Sequence, residues 1–139
     1  MLSCTYWLGS RGRHAIHRRR ADHLLLTVGA TAILPHLMKG LVAQERPDRA
    51  KVHGPRHGIP HSGKTFDAFP SGHAMHMGAL AAAISRSAPR KAPVIWAAGS
   101  LIAATRIVLL AHWTTDVLAG LMLGAGLEHL LHSLDSNPR

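Results

Sequence analysis

The chain is poor in cysteine, in aromatics and in acid, and each shortage removes a class of protein. Cys4 is the single cysteine, so neither an intrachain disulfide nor a cysteine-built metal cage can form. Aromatic residues make up 4%, too few for the stacking platforms with which RNA and single-strand binders hold bases. Nucleic acid is therefore not expected as a partner. Against 7 acidic residues stand 16 lysines and arginines, a net charge of +9 with histidine neutral. A balance that basic points to an anionic partner, either a membrane surface or a phosphorylated substrate. Residues 1–20 lack the continuous apolar core of a secretory signal, because Arg11, Arg13 and His14 interrupt it. They read as a basic leader drawn to anionic lipid. There is no internal repeat and no low-complexity tract.

What the chain does have is apolar residues, 47% of its 139, at a mean hydropathy of only +0.08. Apolar stretches must therefore alternate with strongly polar ones, within a length that suits one domain. Residues 21–43 are apolar for long enough to cross a bilayer, which takes ~20 residues. Pro35 lies inside this run, and Pro47 disfavours helix at Arg46. Residues 48–69, rich in Pro, Gly, His and basic residues, read as a loop. Residues 70–87 form a second, short apolar helix, 92–111 a third and 114–131 a fourth. Gly120, Gly124, Ala125 and Gly126 suit close helix packing in lipid. The expected fold is all-α: a membrane bundle of about four transmembrane helices over residues 21–132, with a polar tail at 133–139.

Charge sets the topology. Arg11, Arg13, Arg18, Arg19 and Arg20 precede the first helix, and Arg86, Arg90 and Lys91 separate the second from the third. Both clusters share one side if four helices alternate, and the positive-inside rule makes that side cytoplasmic. Both termini are then cytoplasmic, in a bacterial-type inner membrane. The loop after Arg46 is basic too (Arg49, Lys51, Arg56, Lys64), which weakens the asymmetry without reversing it.

Three segments meet at the opposite, outer face: Lys39 to Pro47, Pro70-Ser71-Gly72-His73, and Thr105-Arg106 with His112 to Asp116. On a helix Lys39 and Arg46 would share a face, about 10 Å apart along the axis; each alone is as simply read as snorkelling toward headgroups. Pro70 to His73 looks like the start of a helix, where free N–H groups and the dipole favour an anion, although an ordinary serine cap reads the same way. His112 and Asp116 are i and i+4, so the carboxylate can hold the imidazole N–H and fix its tautomer. Such a pair is also a common structural hydrogen bond. On one continuous helix Arg106 would point about 120° away from His112, so a turn is expected around residues 111–113. Together these residues supply what phosphoryl transfer requires: cations for the phosphate oxygens, a nucleophile and an acid.

KGLVAQERP, PSGH and TRIVLLAHWTTD resemble the three signature motifs of the type 2 phosphatidic acid phosphatase and vanadium haloperoxidase superfamily. The pattern is Lys, six residues, Arg-Pro; then Pro-Ser-Gly-His; then Ser-Arg, five residues, His, three residues, Asp. Spacing and order both match, with Thr105 replacing the usual serine. The resemblance implies His112 as the nucleophile that becomes phosphohistidine, Asp116 as its orienting carboxylate and His73 as the acid for the leaving alkoxide. It implies Lys39, Arg46, Ser71, Gly72 and Arg106 as phosphate ligands, and neither metal nor other cofactor.

The function expected is thus a metal-independent membrane phosphatase acting on a lipid phosphate or prenyl diphosphate at the outer face. Phosphatidate, phosphatidylglycerol phosphate, prenyl diphosphates and lipid A phosphates are the substrates the family implies. The alternatives are a vanadate-dependent haloperoxidase, whose members are typically large and soluble, and a non-catalytic protein that binds anionic lipid. His53, His57 and His61 recur every four residues, but Gly54, Pro55, Gly58 and Pro60 argue against a helix and so against a metal site. His76 is read as lining the site or packing, Trp113 as an interfacial anchor, and Glu128, His129 and His132 as a helix end at the cytoplasmic surface.

Overall fold

A computed structural model describes residues 2–10, 15–49 and 64–136. Their helices are α1 (Leu2–Ser10), α2 (Ala15–Lys39), α3 (Gly72–Ser87), α4 (Ala92–Val108) and α5 (Thr114–Ser136), with one 3-10 turn, Pro89–Lys91, leading into α4. Pairing between extended segments among the described residues is limited to one isolated bridge, Gln44 with Asp67, so the all-α expectation holds. The histidine repeat at 53, 57 and 61 lies outside the described residues.

The helix boundaries follow from local chemistry. Gly40 comes directly after α2, where the amides of Leu41 and Val42 both turn back to the Met38 carbonyl. The first helix therefore ends at Lys39 and not at residue 43, and Arg46 lies on the strap beyond it. At the other end α2 begins earlier than expected. Part of the basic leader is helical as well: α1 packs on α2, and the Trp7 indole donates to Asp22 Oδ1 at 2.6 Å. Ser71 caps α3, and prolines at the first positions of the 3-10 turn and of α4 start those elements without sacrificing a hydrogen bond.

α4 closes with the amide of Leu110 on the Ile107 carbonyl (2.9 Å) and that of Ala111 on the Arg106 carbonyl (3.0 Å), the bond pair of a Schellman motif. The left-handed residue this needs is Leu110, with φ 52°, where glycine is usual. The expected turn is thus present, two residues early, and it carries the chain from Arg106 to His112.

The chain is inside-out by the standard of a water-soluble protein. Leu26, Ile33, Leu37, Val94, Leu101, Ile102, Val108, Leu118, Met122 and Leu130 are exposed, while Thr27, Thr31, Ser71, His112, Asp116 and Glu128 are buried. A core of Ala74, Ala103 and Val117 lies between α3, α4 and α5. Such a surface suits hydrocarbon, in which association depends on close packing and interhelical hydrogen bonds. Among the described residues three helical stretches are long and apolar enough to cross a membrane: Arg18–Lys39, Pro89–Val108 and Thr114–Asp135. The chain is an integral membrane protein. At 16 residues, α3 is about 24 Å long, short of a ~30 Å core; length supports three of the four expected spans.

α3 is the central element and packs most extensively on α5, then on α4. A Cβ on Gly120 would sit 2.6 Å from the Ser71 carbonyl oxygen, and one on Gly124 would collide with the Met75 carbonyl. The backbones therefore touch along this seam, as the glycines predicted, except that Gly126 has nothing near it. Because α2 and α4 run against α3 and α5, the C-termini of the first pair meet the N-termini of the second at one end.

At the other end Glu128 is 1% exposed, where a solvated helix end was expected. It accepts from Arg86 Nη2, and His23 Nε2 lies 3.1 Å away. This buried group ties α2, α3 and α5 together.

Candidate active site

Four helix ends and the strap around Arg46 enclose a cleft of about 690 Å³. Lys39 comes from the last turn of α2, Gly72, His73 and His76 from the start of α3, Arg106 from the last turn of α4, and His112 from the turn before α5. Arg46 completes the set, and none of the lining residues is a carboxylate. Six of the eight expected site residues therefore converge. His36, which the motifs do not include, also lines the cleft.

Ser71 and Asp116 lie behind this wall. Both are fully buried. Ser71 Oγ accepts from the Ala74 amide at 3.5 Å, the cap reading, which leaves its hydroxyl hydrogen uncommitted. Asp116 Oδ2 accepts from the Trp113 amide at 2.8 Å, capping α5, and stands 3.7 Å from His112 Nδ1. That is too far for a hydrogen bond, so the expected i, i+4 bond is not made. His112 Nδ1 instead lies 2.6 Å from the Ala68 carbonyl oxygen. A carbonyl can only accept, so Nδ1 carries the proton, and in the neutral ring Nε2 keeps its lone pair. The backbone thus fixes the tautomer, where the i, i+4 spacing pointed to the carboxylate.

Arg46 and Lys39 meet differently from the single helix face expected. Arg46 is 3% exposed, and its guanidinium is tied down on several sides. Nε donates to Asp67 Oδ1 (2.6 Å) and the Lys64 carbonyl (3.1 Å), and Nη1 to the Ala111 carbonyl (2.9 Å). Lys39 Nζ is 3.6 Å from the other Asp67 oxygen. Partial burial raises the Asp67 pKa, but the hydrogen bond and charge of Arg46, then the charge of Lys39, outweigh it and hold the carboxyl below the ordinary range. The Arg106 guanidinium, by contrast, makes no hydrogen bond among the described residues, and its Nε is a buried donor without a partner. A half-buried cation with a buried, unused donor, beside two further cations, is a place for an anion.

The strap is held by its own backbone. The Arg46 amide donates to Thr65 (2.9 Å), the Asp48 amide to Leu110 (3.0 Å), and the Ala68 amide to Gln44 (3.0 Å). Trp113, expected to anchor at the interface, donates its indole N–H to the Glu45 carbonyl at 2.7 Å. His76 Nδ1 is 3.0 Å from the Gly72 carbonyl, and its ring lines the cleft with those of His36, His73 and His112.

A family model described as the PAP2 superfamily matches residues 21–138. The chain belongs to the PAP2 superfamily. Among PAP2 relatives it is 36% identical over 104 residues to a lipid A 1-phosphatase of Rhizobium johnstonii, covering 74% of this chain and 43% of that protein. It is 35% identical over 103 residues to the lipid A 1-phosphatase of Rhizobium etli, with 73% and 44% covered. To a decaprenylphosphoryl-5-phosphoribose phosphatase of Mycobacterium tuberculosis it is 31% identical over 137 residues, 94% of this chain and 72% of the relative. The match thus spans under half the length of the rhizobial PAP2 relatives. No solved structure gives a significant match.

Proposed function

We propose that the chain is a metal-independent phosphatase that removes phosphate from a lipid phosphate or prenyl diphosphate through a phosphohistidine on His112. The observation that carries this reading is the free Nε2 of a buried histidine, its tautomer set by the Ala68 carbonyl, facing a cleft that Lys39, Arg46 and Arg106 make cationic. In the first step Nε2 attacks phosphorus, the N–P bond forms and the bond to the leaving oxygen breaks. His73, which also lines the cleft, gives that oxygen its proton. In the second step water attacks phosphorus, returns a proton to His73 and releases phosphate and free His112. Lys39, Arg46, Arg106 and the first amides of α3, at Gly72 and His73, hold the phosphate oxygens where charge accumulates. Ser71 supports them with its hydroxyl hydrogen, and Asp116 stabilises the ring as it becomes cationic.

The lipid character of the substrate is supported by the apolar helices around the cleft and by relatives whose names specify lipid A and decaprenylphosphoryl substrates. Placing the cleft at the outer face, with both termini cytoplasmic, rests on Arg18, Arg19, Arg20, Arg86, Arg90 and Lys91 at the other end of the bundle. The test is phosphate release from a panel of lipid phosphates by purified protein in detergent with a chelator present. Turnover that vanadate inhibits and His112→Ala abolishes is the expected result. Turnover unchanged in His112→Ala would refute the mechanism. Absence of turnover on every lipid would leave a protein that only binds anionic headgroups.

A further inference from the structure

The cleft is lined by cations, yet a carboxylate stands directly behind two of them. Asp67 is not among the residues that line the cleft, but its two oxygens are divided between Arg46 and Lys39. The halves are unequal. The Arg46 contact is 2.6 Å, to a side chain 4% exposed that backbone carbonyls also hold, whereas the Lys39 contact is 3.6 Å between side chains about one-fifth exposed. Lys39 makes no other polar contact among the described residues, so its ammonium is free to turn toward a ligand, whereas the guanidinium of Arg46 meets one only in the orientation its bonds fix.

We propose that Asp67 is the resident counter-anion of this site: it holds Lys39 while the cleft is empty and yields it when a phosphate enters. The proposal rests on the reading of the cleft as a phosphate site and adds what governs affinity there. Without Asp67, Lys39, Arg46 and Arg106 would face a phosphate dianion with their charge uncompensated, and the released phosphate would be hard to lose. With it, each phosphate that binds competes with a carboxylate for Lys39. Because Arg46 and Lys39 hold the Asp67 pKa down, the competitor stays charged at neutral pH. Asp67 does not touch substrate in this scheme; it acts through the two cations.

The test compares wild type with Asp67→Asn, which keeps an acceptor for Arg46 Nε, and with Asp67→Ser, a shorter polar side chain; neither carries a charge. Inhibition constants for inorganic phosphate and for vanadate are measured in detergent, with thermal unfolding as the check on folding. A neighbouring unit charge removed at this distance should tighten both by on the order of tenfold. KM should fall in step and kcat should not rise. Asp67→Glu, which restores the charge, should return both constants toward the wild-type values. If a folded variant binds phosphate no more tightly than wild type, or more weakly, Asp67 merely positions Arg46 and the proposal is wrong. If wild type and variants alike show no affinity for phosphate or vanadate, the phosphate-site reading falls with it.

Discussion

Replacing Asp116 by asparagine separates two accounts of how His112 is prepared. If the carboxylate alone fixed the tautomer, asparagine would present the wrong partner to the ring, and losses of about 10⁴ in kcat are known for that situation. Here the Ala68 carbonyl at 2.6 Å sets the tautomer and Asp116 stands 3.7 Å away, so only its charge acts on the ring. Two unit charges at that separation interact by about 4 kcal/mol at an effective dielectric of ~20. Only the part gained as the imidazole becomes cationic lowers the barrier, so about 2–3 kcal/mol is at stake. That corresponds to a loss of about 10²-fold in kcat. Asparagine can still accept the Trp113 amide, as Asp116 does, so the cap on α5 survives. The assay is kcat and KM for phosphate release by Asp116→Asn, with circular dichroism to confirm folding. A loss near 10⁴ in a folded variant would refute the assignment of the tautomer to Ala68.

Three further perturbations probe the frame around the site. Gly124→Ala drives a Cβ into the Met75 backbone, which can yield only if α3 and α5 separate; about 1–3 kcal/mol should be lost, read as a lower thermal midpoint together with lower activity. Leu110→Gly relieves the left-handed conformation at the end of α4, which costs an L-residue about 1–2 kcal/mol. After the greater unfolded-state entropy of glycine, a gain of up to about 1 kcal/mol should appear as a raised midpoint. Glu128→Gln leaves Arg86 without its counter-charge and should cost about 2–3 kcal/mol, reduced from the fully buried case because Arg86 is partly exposed; adding Arg86→Met should restore a measurable part.

The helical elements and the family were legible because they depend on local pattern. Apolar runs marked α2, α4 and α5, Pro70 and Ser71 marked the start of α3, and the three motifs kept the spacing that membership in the PAP2 superfamily bears out. The convergence of Lys39, Gly72, His73, Arg106 and His112 also followed, because alternating helices must bring those termini to one end. Arg46 was placed at the right end for the wrong reason, since α2 stops at Lys39 and the strap carries it back.

What the chain's residues determined by themselves is therefore the membrane bundle, the end at which chemistry-bearing side chains gather, and the supply of positive charge there. Tertiary structure alone decided which groups hold them: the Ala68 carbonyl on His112, Asp67 between Arg46 and Lys39, and Glu128 buried against Arg86 and His23. The reason is physical. A backbone carbonyl is offered by every residue, so no letter in the sequence announces the one that will accept a proton. Likewise, a carboxylate in a loop finds its cations only when distant segments close around it.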